Sequence, residues 1–217
     1  MKYQFGILMF LCFYEKSKIL PYRAGKKWLH QECPSFIIYG NNSQNLNCEH
    51  VIPRSFVKFN ERQKLTVNDL HLLYLCDAKI NSHRNNFSFS ILQNDSPSTI
   101  FLTELGQKTE FPSHCKKDKK LRLFEPPEKS KGVIARTVAY YTWNYNVDIG
   151  NQVLHYKLLK RWNKENPVNK QEIEKNRKIL KVQGNKNLFI DYPYLTSFLF
   201  TKPILLLRKW KQKYFTS

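Results

Sequence analysis

The sequence predicts an α+β fold in a single folded unit, because turn signals divide it into an irregular first half with two short apolar strands and a helical second half. A chain of 217 residues is long enough for one sizeable core. Its 41% hydrophobic and 14% aromatic residues, with seven glycines, can bury enough apolar surface to offset the entropy of ordering it. No internal repeat or long low-complexity segment divides the chain.

The apolar run Phe5 to Tyr14 is too short to span a bilayer. Glu15, Lys16, Ser17 and Lys18 follow it without a small-x-small cleavage site, which favours a buried first element over a signal-peptide core. Ser35 to Tyr39 reads as a short strand and Gly40-Asn41-Asn42-Ser43 as the turn after it. A second strand carries Asn47 to Ile52 and stops at Pro53. Asn68 and Asp69 offer a cap or turn before the apolar stretch Leu70 to Leu75, and Cys76 to Arg84 suits about two helical turns. Asn85 to Pro112 shows no clear period.

From Lys131 to Tyr145, Val133, Ile134, Thr137, Val138, Tyr141 and Trp143 approximate helical spacing; Val153, Leu154, Tyr156, Lys157, Leu158 and Trp162 do so after them. Pro167 separates that helix from another at Asn169 to Val182, and Gly184 is its natural stop.

Thirty-six Lys and Arg against seventeen Asp and Glu leave a net charge of +19, which favours a polyanionic partner. Nucleic acid is the first candidate and an anionic membrane surface the second. The charge runs Lys116 to Lys120 and Arg208 to Lys213 read as solvated faces by default, with phosphate contact as their functional reading. Leu205, Leu206, Leu207 and Trp210 give the tail a weaker membrane or partner-helix reading. Cys12, Cys33, Cys48, Cys76 and Cys115 form no CxxC pair, so neither a zinc ribbon nor a thioredoxin-type motif is present. Two disulfides with one free thiol, and five buried thiols, both remain open, as do secretion and intracellular action.

Phosphodiester hydrolysis needs a base to deprotonate water, a cation to stabilise the growing charge, and donors that hold the substrate. Glu49 and His50 are adjacent in the second predicted strand, where period two sends their side chains to opposite faces unless the strand bends. Asn81 lies on the predicted short helix. Glu49 and the Asn81 amide oxygen suit one hard cation, with water filling the rest, and His50 suits the base. Arg84, one helical turn beyond Asn81, suits a phosphate oxygen. His30, His83, His114 and His155 have no partner pattern.

Four blocks in order, NCEHVIPRSF from Asn47, NDLHLLYLCDAKINSHRNNFSF from Asn68, FEPPEKSKGVIAR from Phe124 and LLKRW followed by NPV, resemble the bacterial endonuclease I family of ββα-metal (His-Me finger, His-Asn-His type) nucleases. A final run, EIEKNRKILKVQGNKNLFIDYP, extends the likeness to Pro193, so that it covers about two thirds of the chain. The resemblance implies a ββα-metal core in a mainly helical single domain. It divides the chain into an N-terminal segment at 1–46 packing on the core, a nuclease domain at 47–193 and a basic extension at 194–217.

Carried over by position, His50 matches the family's general base, Glu49 and Asn81 its metal ligands, and Arg84 and Asn86 the Arg and Asn that follow. Mg2+ is the implied ion, with Mn2+ or Ca2+ able to take its place. Double-stranded DNA is the first implied substrate, cut with little sequence preference because phosphate contacts carry no base information. Arg54, Lys79 and Arg136 are the candidate nucleic-acid contacts, and Asp69, His71 and Asn86 the structural residues near the site. Gln183, Asn185, Asn187 and Asp191 hold a loop through side-chain hydrogen bonds, and Cys48 and Cys76 are buried thiols. Leu72 and Leu75 depart from the family pattern, which has a polar residue and a proline there, with His71 as the substitute brace for the base. That departure motivates the alternative, a catalytically weakened or inactive nucleic-acid-binding protein on the same scaffold.

Overall fold

The computed structural model describes residues 17–41, 45–57, 66–145, 147 and 150–199. The apolar run Phe5 to Tyr14, turn residues Asn42 and Ser43, Cys12 and the tail from Arg208 to Lys213 lie outside the described residues. After helix α1 (Tyr22–Glu32), strands β1 (Ile37–Tyr39), β2 (Leu46–His50) and β3 (Leu73–Asp77) form a sheet in the order β1-β3-β2. β1 runs parallel to β3 and β2 antiparallel to it, in unbroken register from Leu46 opposite Asp77 to His50 opposite Leu73. The segment before residue 47 therefore supplies a strand of the sheet as well as a helix against it.

All five residues of β3 are buried, which is why its sequence reads as an apolar run without alternation. One face, carrying Cys48, Leu73 and Leu75, packs with Leu29 of α1 and with Ile179. The other, carrying Tyr39, Tyr74 and Cys76, joins the larger core with Val133, Ile134 and Val138.

Helix α2 (Ala78–Arg84) follows β3 without a loop, because the Asp77 side chain accepts from the backbone N–H of Lys79 and Ile80 at 2.8 and 3.0 Å. The helix expected from Cys76 starts at Ala78, since Cys76 and Asp77 still pair with Asn47 and Leu46.

The stretch without a legible period contains part of a second sheet, ordered β4-β8-β7-β5-β6: β4 (Ser88–Phe89), β5 (Thr99–Leu102), β6 (Lys108–Thr109), β7 (Cys115–Asp118) and β8 (Leu123–Glu125). This sheet adds strands to surroundings that are otherwise mainly helical. Strands of two to four residues are too short to show alternation. The Lys116 to Lys120 run begins inside β7, with Lys116 bonded to Glu125 at 2.9 Å.

The helical half holds α3 (Glu128–Asn144), α4 (Gly150–Val153), α5 (Tyr156–Glu165), α6 (Lys170–Gln183) and α7 (Leu188–Asp191). α3 is buried from Ser130 to Trp143 and is the central post of the molecule. Gly132 lets the α5–α6 connection reach it: a Cβ there would stand 2.3 Å from the Asn166 carbonyl oxygen. α6 opens with a capping box between Asn169 and Glu172 and closes at Gly184, at φ 84°.

Asp69 is fully buried and accepts four hydrogen bonds: from His71 N and Gln183 Nε2 at 2.8 Å, and from the hydroxyls of Tyr140 and Tyr145 at 2.6 Å. Asn185 joins through Gln183 and Tyr140, while Asn187 and Asp191 bond Asn176. The QGNKNLFID loop is thus tied to the Asp69 turn from the far end of the chain. His71 belongs to this network, its Nε2 lying 3.2 Å from the Asn185 carbonyl oxygen, which fixes that nitrogen as the donor.

Burial pushes the His71 pKa down to about 4, against the pull of Asp69. Because the unfolded chain then binds the proton more readily, the stability this neutral ring confers is complete above about pH 6.5 and lost as the pH falls towards 4, on the order of 3 kcal/mol. Urea unfolding at a series of pH values should show a steeper acid loss in the parent than in His71→Gln; identical pH profiles would contradict it.

Cys33, Cys48, Cys76 and Cys115 are buried free thiols, so among the described residues no disulfide forms. Burial raises the pKa of each, that of Cys48 to about 11. No described helix is long and apolar enough to cross a membrane.

Candidate active site

β2 is an edge strand, and that position resolves the conflict that period two sets for Glu49 and His50. The strand does not bulge. Glu49 points with Tyr39 into the larger core, His50 points to the face covered by α1, and a cleft along the edge takes atoms from both. The cleft has a volume of about 380 Å3, and Glu49, His50, Arg54, Asn81, Arg84 and Asn86 are among its lining residues.

Glu49 is 2% exposed. Its Oε1 accepts from the Tyr39 hydroxyl at 3.1 Å and lies 3.3 Å from Arg84 Nε, an ion-pair distance without hydrogen-bond alignment. Burial raises its pKa, with Arg84, the Tyr39 hydroxyl and the His50 backbone pulling the other way. Arg84 is 1% exposed and donates to the carbonyl oxygens of Asn85 and Val51 at 2.8 and 2.9 Å, with the Phe89 ring 4.6 Å from its guanidinium carbon. Arg84, expected on a phosphate oxygen, lines the cleft beside Glu49, and its backbone contacts tie α2 to the end of β2.

Tyr22 of α1 stacks on His50, with ring centroids 5.3 Å apart and planes 26° from parallel. Burial, then Arg54 and Arg84, pushes the His50 pKa down to about 4, so the ring is neutral. A phosphate brought alongside favours the protonated form and raises the ring's proton affinity. His50 Nε2 and Arg84 Nε are two of the four buried side-chain polar atoms without a hydrogen bond among the described residues. Two of these four atoms thus sit at this cleft.

Asn81 reaches β2 from α2, its Nδ2 donating to the Cys48 carbonyl oxygen at 3.4 Å, which leaves Oδ1 as its ligand atom. With Glu49 it offers two oxygen donors in a cleft with room for water, a set that fits a hard divalent ion of the Mg2+ type. No group of three or more His, Cys, Asp or Glu side chains gathers among the described residues.

Arg54 is exposed at the cleft mouth, on the turn Arg54–Phe56. Asn86 braces that mouth, donating to Ser55 Oγ at 3.2 Å and accepting from Arg122 at 2.5 Å. Lys79 is exposed on α2 but does not line the cleft.

Arg136, expected near substrate, is 1% exposed, with Nε and Nη2 on the two Glu172 oxygens at 2.8 and 2.6 Å and Nη1 on Asn163 and Asn166. The Arg136 guanidinium is thus placed on Glu172, Asn163 and Asn166 and does not line the cleft. His71, expected as a brace for the base, is committed to the Asp69 network. Leu72 and Leu75 are core residues, 1% and 0% exposed, and do not line the cleft.

Tyr22 and Tyr39 are the site residues that sequence reasoning missed. Tyr39, in an apolar segment, looks like core, Tyr22 stands beside basic residues, and both act through contacts that sequence spacing does not reveal.

A sequence model of the family described as Endonuclease I matches residues 15–194. Over 169 residues, 71% of this chain and 61% of the relative, the chain is 30% identical to Endonuclease-1 of Buchnera aphidicola. It is 31% identical to an extracellular ribonuclease of Bacillus subtilis (71% of this chain, 54% of the relative) and 32% identical to an extracellular deoxyribonuclease of Aeromonas hydrophila (57% and 48%). The chain thus spans between 48% and 61% of the length of these three relatives. The match over 15–194 takes in both sheets, the cleft and the helical half, and the chain belongs to the endonuclease I family.

Proposed function

We propose that this protein is a metal-dependent endonuclease that hydrolyses phosphodiester bonds of nucleic acid, with His50 activating water and Glu49 and Asn81 holding Mg2+. One observation carries the reading: β2 and α2 bring a carboxylate, an amide oxygen and an imidazole with an uncommitted nitrogen onto one cleft. The ββα-metal architecture is part of the same proposal, with β2, β3 and α2 as its three elements.

His50 takes the proton from water while the Tyr22 ring holds the imidazole plane. Glu49, held by Tyr39 and Arg84, would give the ion a carboxylate oxygen, and Asn81 on α2 would add a neutral one. The bound divalent ion supplies charge stabilisation for the phosphate and the leaving oxygen. Arg54 at the mouth holds a neighbouring phosphate.

Double-stranded DNA is the first substrate to test and RNA the second, since the relatives include proteins named for each. Relatives named extracellular or periplasmic also support action outside the cytoplasm. The rival binding protein rests on Leu72 and Leu75, whose burial leaves the Glu49, His50 and Asn81 set intact.

Incubation of supercoiled plasmid with the protein and Mg2+ should give open-circular and then linear DNA, with none in EDTA. RNA added as competitor reads the preference between the two polymers. Nicking that persists in EDTA rules out the metal; binding without nicking under any divalent condition favours the rival.

A further inference from the structure

The Lys116 to Lys120 run is only partly explained by the fold. Lys116 turns to Glu125, but Lys117 turns to α2, where its Nζ lies 2.7 Å from His83 Nδ1. An ammonium has only donors, so that nitrogen is the acceptor and the imidazole brings no opposing charge. Lys79 stands one turn before His83 on the same helix. The β5–β6 turn packs flush against it: Gly106 has φ +67°, and a Cβ there would lie 2.7 Å from Lys79 Cβ. Lys108 follows in β6, close enough with Lys119 that, after partial burial, both push the Lys117 pKa down.

Four lysines, from α2, β6, β7 and the turn after β7, thus converge, and no carboxylate among the described residues is within ion-pair distance of Lys79, Lys108, Lys117 or Lys119. Several other cations do have partners: Lys116 and Lys131 share Glu125, Lys178 has Glu174, Arg161 has Glu165 and Lys186 has Asp191. Gathering like charges without counter-ions costs free energy that an external anion offsets.

We infer that Lys79, Lys108, Lys117 and Lys119 form a second phosphate-binding site, across α2 from the cleft, for the flank of the same nucleic-acid chain. The inference rests on the nucleic-acid reading and extends it from the cut position to the neighbouring backbone. A helix is about 10–12 Å wide with its side chains, and each strand carries a phosphate every ~3.4 Å of axis. Roughly three nucleotides therefore span the step from Asn81 over Ser82 to Lys117.

The test is the salt dependence of binding to a short fluorescein-labelled DNA duplex, followed by anisotropy with the full chain in EDTA so that nothing is cut. Each phosphate contact contributes about 0.9 to the slope of log K against log salt. Lys108→Gln with Lys117→Gln should therefore flatten the slope by about 1.8 and weaken binding at low salt. Arg177→Gln with Lys181→Gln, the same loss of charge on the exposed face of α6, should change the slope by less than half as much. Equal slopes for the parent and the Lys108, Lys117 variant overturn the second site while leaving the cleft reading intact. An equal effect from the α6 pair also overturns it, by reducing it to net charge. Absence of salt-dependent binding by the parent overturns both readings.

Discussion

Replacing His50 with alanine should lower the rate of plasmid nicking by about 100- to 10,000-fold, the range that a positioned general base supplies. Binding of uncut DNA should be nearly unchanged, because His50 is neutral and brings no charge to a phosphate. Added imidazole should restore part of the lost rate by filling the space beside Tyr22, a response that a merely destabilised protein does not give. Nicking by His50→Ala at the parent rate would remove His50 from the mechanism.

The second large effect falls far from the cleft. Arg136→Ala should cost about 3–5 kcal/mol of stability, because it leaves the Glu172 carboxylate charged and unpaired in the core. Both partners are 1% exposed, so water cannot take over the lost bonds. Arg136→Met with Glu172→Gln should recover most of that loss, since no uncompensated charge is then buried and the glutamine still caps α6. Urea unfolding of the single and double variants measures this; an unchanged midpoint in Arg136→Ala would show the pair to be dispensable.

Arg136 also shows what a sequence does not disclose. In a chain of net charge +19, an arginine at the start of an amphipathic stretch reads as a contact for a polyanion. Only the fold brings Glu172, 36 residues away, onto it. The burial of Arg84 was hidden for the same reason: helical spacing puts it near Asn81, but its burial follows from the closure of α2 on β2. Glu49, His50 and Asn81 were legible because they sit in ordered motif blocks whose intervals the two strands and short helix preserve. The second sheet was not, because pairing among strands of two to four residues is a long-range choice with no local period.

Arg84 beside Glu49 has a consequence for the chain before any ion arrives. A carboxylate sealed in a core would by itself oppose folding, and small metalloproteins often solve this by folding only with the ion in place. Here a resident guanidinium supplies the countercharge, so the scaffold can assemble without the proposed ion. A chelator should therefore silence the protein without dismantling it, and returning the ion should revive it with no refolding step.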